Sequence, residues 1–112
     1  MDTVLFGVTM FPASFAMDVV ALARAAEERG FESLFLPEHT HIPVNRVTPW
    51  AGGSGAPGGD PPREYSHTID PFLALAAAAY ATTRLKLGTG ICLVVQRDPI
   101  YLAKQVATPS FG

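Results

Sequence analysis

Glu38-His39-Thr40-His41 places a carboxylate and two imidazoles directly after the apolar run Ser33-Leu34-Phe35-Leu36-Pro37. An imidazole changes charge near neutral pH, so His39 has the chemistry of a general acid or base. The same residues also admit a packing reading, with His39 hydrogen-bonded in the structure and His41 in a loop. A third reading is a metal centre: His39-x-His41 offers two imidazoles to one zinc, with His67 or Glu38 as the next ligand, and would make the chain a metal-dependent hydrolase. Gly88-Thr89-Gly90 opens like a dinucleotide fingerprint, but Leu93 stands where the third glycine belongs and no helix follows at once, so a phosphate loop is rejected. Glycines inside a strand instead mark a bulge, or a place where a ligand such as a flat flavin-like ring lies against the backbone. Cys92, the only cysteine, has no basic neighbour to activate it and reads as a packing thiol. Asp70 and Asp98 each precede a proline and read as helix caps rather than catalytic carboxylates. Arg97 reads as a solvated loop arginine able to meet an anion. Trp50 and Tyr65 flank a Gly/Pro-rich loop, where they would cover a planar ligand or pin the loop to the surface.

These residues need elements to hold them. Val4 to Thr9 predicts a buried strand. Phe15, Val19, Leu22, Ala23 and Ala26 recur on one face of a helix capped by Ser14 and ended by Gly30. Ser33 to Pro37 predicts a second strand. Between Pro49 and Pro62 nine of fourteen residues are Gly or Pro, within a loop insertion spanning 43–69. Asp70-Pro71 starts a helix whose segment Phe72 to Thr82 is apolar almost all round, which calls for burial on more than one side or a closely packed partner. Leu85 to Ile91 predicts a third strand, running on toward Val95, and Asp98-Pro99 starts a third helix ending before Pro109. The order β-α-β-loop-α-β-α implies parallel strands joined by crossovers, with both sheet faces covered. In such α/β folds function gathers at the carboxyl ends of the strands: Thr9 to Pro12, Pro37 to His41 and Thr89 to Gln96.

The 112 residues carry a net charge of −2, with 48% hydrophobic and 16% charged side chains. That composition excludes a disordered chain, and the lack of a basic stripe argues against nucleic-acid binding. Phe72 to Ala81 is about half of the ~20 residues that span a bilayer, and no signal-peptide pattern opens the chain. A single cysteine allows no internal disulfide. The expectation is a soluble, cytoplasmic protein.

Several blocks, taken together and in order, resemble the N-terminal part of the luciferase-like flavin- and deazaflavin-dependent oxidoreductases. They are Ala25-Ala26-Glu27-Glu28-Arg29-Gly30-Phe31-Glu32-Ser33-Leu34, Pro37-Glu38-His39-Thr40, Asp70-Pro71-Phe72, Ala81-Thr82-Thr83-Arg84-Leu85-Lys86-Leu87-Gly88-Thr89-Gly90, Arg97-Asp98-Pro99 and Leu102-Ala103-Lys104-Gln105-Val106-Ala107-Thr108. Glu38 to Pro43 looks most like the branch that uses coenzyme F420, with FMN as the other candidate. The resemblance implies a dimeric (β/α)8 TIM barrel acting on a small organic substrate by hydride transfer or monooxygenation. It implies His39 as acid/base at the reactive edge of the ring, with Glu38 beside it as a cofactor-binding residue. It also implies a strand-3 bulge at Thr89-Gly90-Ile91 behind the ring plane, with a non-prolyl cis peptide at Gly90–Ile91, and no metal. A full barrel takes about 250 residues, so residues 1–112 would be a partial barrel domain truncated after the third strand. The ending Pro109-Ser110-Phe111-Gly112 departs from the family pattern. A truncated, non-catalytic fragment is therefore the alternative expectation to an active oxidoreductase.

Overall fold

In a computed structural model, residues 3–45, 50 and 60–108 are described. The elements are β1 (Gly7–Thr9), α1 (Val19–Glu28), β2 (Ser33–Leu36), a 3-10 helix (Arg63–His67), α2 (Pro71–Ala81), β3 (Lys86–Thr89), a short 3-10 turn (Val94–Gln96) and α3 (Pro99–Ala107). The strands form one parallel sheet in the order β1-β2-β3. This is the α/β arrangement of repeated β/α units that the sequence pattern predicts. No helix among the described residues is long and apolar enough to cross a membrane.

The first helix starts later than the periodicity predicts. Asp18, not Ser14, is its N-cap, accepting a 3.0 Å bond from the Ala21 N–H. The segment before it is held elsewhere. The Ser14 N–H donates to the His67 carbonyl at 3.0 Å, Ala13 pairs with Thr68, and Phe15 lies edge-on to His67 under the Arg63 guanidinium. Phe15 therefore belongs to this loop contact rather than to the helix face. The helix ends as expected. Gly30 adopts φ 81°, and the Gly30 and Phe31 N–H groups close on the Glu27 and Ala26 carbonyls at 3.1 and 3.0 Å. Only a residue without Cβ takes that φ cheaply.

Register decides which side chains meet. Val8, Leu34 and Leu87 align across the sheet, and Leu34 and Leu36 are completely buried against α1 and α2. Val19, Ala23 and Ala26 of α1, Ala74, Leu75 and Ala78 of α2, and Leu85 complete that core. Small alanines at the contact let both helices approach the sheet closely. The opposite face carries the row Thr9, Phe35 and Gly88, and α1 and α2 leave it open. Coverage of both faces is thus not what the described residues show.

Two further expectations change. β1 is shorter than Val4 to Thr9, because β2 begins at Ser33 and only the Glu32 N–H reaches back, to the Phe6 carbonyl. β3 stops at Thr89 and does not run on to Val95. A cis peptide joins Gly90 and Ile91, and the chain turns into the 3-10 turn. In α2 one face is buried, while Leu73 and Tyr80 are 75% and 98% exposed within this chain. Both caps hold: Asp70 accepts from the Leu73 N–H, and Asp98 from the Ile100 and Tyr101 N–H groups. Residues 46–49 and 51–59 of the loop insertion lie outside the described residues.

Candidate functional site

The three strand-end segments converge. Phe11 follows β1, Glu38 to Thr40 follow β2, and Leu93 to Arg97 follow β3, and side chains from all three touch. The extended chain after β2 alternates its side chains, so residues 38 and 40 face one neighbour and residue 39 the other.

Glu38 points toward the β3–α3 loop. It is 3% exposed, its Oε2 accepts the Leu93 N–H at 2.7 Å, and its Oε1 pairs with Arg97 Nη2. Burial pushes its carboxyl pKa up, but the Arg97 guanidinium, the Leu93 N–H and the Cys92 thiol outweigh that and hold it below the ordinary value. Arg97 is not a solvated loop residue: its side chain is 13% exposed and also lies 3.7 Å from Asp70 Oδ2 and 4.5 Å over the Phe72 ring. An arginine taken out of water needs such partners; Glu38 takes Nη2, while Nε is buried without a hydrogen-bond partner. Thr40 follows the same direction, donating to Gln96 Oε1 at 2.7 Å, with His41 Nδ1 at 2.8 Å from its hydroxyl.

His39 points toward a cluster of rings. Its imidazole lies 5.6 Å from Phe11 at 14° and 4.4 Å from Tyr65 at 34°, while Phe11 and Tyr65 stack at 4.7 Å. Trp50 meets Tyr65 edge-on at 5.8 Å. Tyr65 is delivered by the Arg63–His67 helix, which is anchored at its end by the Ile69 N–H bonded to the Pro12 carbonyl at 2.8 Å. Burial among the rings pushes the His39 pKa down, and the Glu38 charge only partly opposes it, so the neutral imidazole is favoured. A neutral imidazole in a half-buried setting can accept or pass on a proton.

Gly90 stands beside the end of β2, its N–H bonded to the Leu36 carbonyl at 2.9 Å. The cis Gly90–Ile91 peptide follows there, and Ile91 is 70% exposed. Thr89 aligns with Leu36, whereas Gly88 aligns with Phe35 on the open sheet face. Cys92 lies close to Glu38 and Arg97. Burial, first of all, pushes its thiol pKa up, which suits an unreactive packing thiol.

Metal chemistry finds no support in the side-chain arrangement. Among the described residues no three His, Cys, Asp or Glu side chains converge to hold an ion. His39 faces rings, His67 faces Phe15, His41 sits on Thr40, and the Glu38 oxygens are taken. Among the described residues, His39 and His41 therefore do not share a site with His67 or Glu38.

One participant escaped the sequence reading and another was read with the wrong surroundings. Phe11 carried no signal beyond being an aromatic at a strand end. Arg97 carried one: it stands immediately before a cap-plus-proline helix start, a turn that fixes its direction toward the adjacent strand end.

A family model described as luciferase-like monooxygenase matches residues 12–108. The chain is 40% identical over 105 residues to the uncharacterized protein Rv0953c of Mycobacterium tuberculosis, and equally to uncharacterized proteins of a second M. tuberculosis strain and of Mycobacterium bovis. Each match covers 92% of this chain and 36% of the relative, so the chain spans about a third of the length of the curated relatives it matches. No solved structure matches the chain.

Proposed function

The chain belongs to the luciferase-like monooxygenase family, and on that premise we propose that it supplies the first β/α units of a (β/α)8 barrel oxidoreductase. The proposed reaction is hydride transfer or monooxygenation of a small organic substrate with coenzyme F420, or with FMN as the second choice. His39 is the proposed acid/base, and the backbone at Thr89, Gly90 and Ile91 is the proposed surface behind the cofactor ring.

One observation carries the reading. The convergence of strand ends puts a half-buried imidazole among rings, next to a strand end whose backbone turns through Gly90–Ile91. The open sheet face is the proposed side of approach: its two rows are Gly7, Ser33 and Lys86, and Thr9, Phe35 and Gly88, with Ser33 lying beside Gly7 and the Phe35 ring over Gly88. When bound, a flavin or deazaflavin supplies the hydride chemistry. This chain's part is to present the backbone at Thr89 to Ile91, exclude water with Phe11 and Tyr65, and hold or move a proton at the His39 imidazole. Leu73 and Tyr80 on the open side of α2 support a homodimer as the proposed assembly.

A non-catalytic reading has one observation behind it: α1 and α2 cover a single face of the sheet. Titration of the purified chain with coenzyme F420 and with FMN, followed by cofactor fluorescence alongside size exclusion, separates the two. Saturable binding by a compact species, weakened in His39→Ala, is the expected result. A compact chain that binds neither cofactor sinks the oxidoreductase reading.

A further inference from the structure

The chain after β2 continues a ladder to the chain after β3 by other means. The Leu36 carbonyl takes the Gly90 N–H at 2.9 Å, Glu38 Oε2 takes the Leu93 N–H at 2.7 Å, and Thr40 donates to Gln96 at 2.7 Å. Residues 36, 38 and 40 thus hold residues 90, 93 and 96, first through backbone and then through side chains. His39, between the last two, is free to face the rings.

The geometry points to Glu38 as a positioning residue: acting through Leu93 and Arg97, it fixes the Gly90-to-Arg97 loop against the strand end that carries His39. This rests on the function proposed above, and it departs from the expectation that Glu38 itself contacts the cofactor.

Three features support the assignment. The Glu38 side chain is 1% exposed, leaving no surface to offer a ligand. Each of its oxygens already has a protein partner, the Leu93 N–H on Oε2 and Arg97 on Oε1. Arg97 then passes the constraint on. It reaches Asp70, the cap of α2, at 3.7 Å, and its Nη1 donates to Gln105 of α3 at 3.5 Å. One buried carboxylate therefore ties β2, the loop, the start of α2 and the C-terminal half of α3.

The test uses the whole 112-residue chain as wild type, Glu38→Gln, Arg97→Gln and the double variant. Amide hydrogen exchange is read at Gly90 and Leu93, with Leu85 (bonded to Glu27) and Ala21 (bonded to Asp18) as fold controls. Each variant is expected to speed exchange at Gly90 and Leu93 at least tenfold with the controls unchanged. The double variant should be no faster than the worse single one, because residues acting as one unit are not additive. Affinity for FMN and coenzyme F420 should fall at least tenfold in the same three proteins. Weakened affinity with wild-type exchange at Gly90 and Leu93 would mean that Glu38 touches the cofactor, and would overturn the proposal, as would fully additive exchange effects. If Glu38→Gln unfolds the chain, Arg97→Lys decides. It keeps the charge opposite Glu38 but loses the planar fork, and unchanged Leu93 exchange there also overturns the proposal. A wild-type chain that binds neither cofactor defeats the function above, while the exchange coupling still decides whether Glu38 fixes the Gly90-to-Arg97 loop.

Discussion

The ring of Phe35 lies directly on Gly88 across the β2–β3 pair: a Cβ built at position 88 would stand 2.6 Å from Phe35 Cε1 and 2.9 Å from Cδ1. A contact that short cannot persist, so Gly88→Ala must move the ring. Phe35 is 43% exposed and has room to swing, which places the cost near the low end of overpacking, about 1 kcal/mol. At Gly90 the nearest atom would be Phe35 Cβ at 3.5 Å, an ordinary contact. Urea denaturation should therefore separate Gly88→Ala from wild type and leave Gly90→Ala much closer to it. Equal destabilisation by the two would show that packing on Phe35 is not what sets the cost.

Glu27 fastens α1 to the turn between α2 and β3. Its carboxylate accepts the Thr83, Arg84 and Leu85 N–H groups at 3.0, 2.6 and 2.8 Å. The Arg84 N–H is the main cause of its lowered pKa; burial opposes it, and the Leu85 and Thr83 N–H groups add to it. A carboxylate with a depressed folded pKa stabilises the fold above its unfolded value of 4.5 and loses that contribution as pH falls through the folded value. Glu27→Ala should lower the thermal midpoint at pH 7. The gap to wild type should shrink as the pH drops below the carboxylate range. A gap constant down to pH 2 would count against the ionised carboxylate as the source.

Asp98 accepts two N–H groups at the start of α3, at 2.9 and 3.1 Å, in a helix with no buried residue. With so little packing to support it, the helix depends on its cap. Asp98→Ala is expected to cost about 1 kcal/mol, the usual worth of a lost N-cap. Circular dichroism should show the loss as reduced helicity before any change in the sheet. Full retention of α3 would mean that Pro99 alone sets the helix start.

Much of this architecture is legible in the residues, and the exceptions have physical causes. The Asp70-Pro71 and Asp98-Pro99 starts and the Gly30 stop are local, because cap and φ preferences act within a few residues. The cis Gly90–Ile91 peptide followed from the family resemblance, not from spacing. Phe15 misled because periodicity cannot know that the Arg63–His67 segment, some fifty positions on, takes it out of the helix face. The role of Arg97 was hidden for a similar reason: its partner Glu38 is 59 positions away, and charge alone does not say which acid a loop arginine meets. His39 was readable as a candidate from its place after β2, but the rings around it come from two other loops, and Phe11 and Tyr65 join it only in the folded chain.

The His39 ring cluster predicts a pH effect of opposite origin to that of Glu27. Burial among Phe11 and Tyr65 lowers the imidazole pKa from its ordinary 6.5, and the neighbouring Glu38 charge does not fully restore it. A base with a depressed folded pKa prefers the unfolded chain when protonated. Its neutral form therefore supports the fold fully above about 6.5, and that support is lost as pH falls toward the folded value. Proton NMR of the imidazole should give a titration midpoint below the free-histidine value. Tyr65→Ala removes the ring 4.4 Å away, lets water in, and should move the midpoint upward, while Tyr65→Phe keeps the ring and should leave it in place. A midpoint that follows the loss of the hydroxyl rather than of the ring would assign the effect to a hydrogen bond and not to burial.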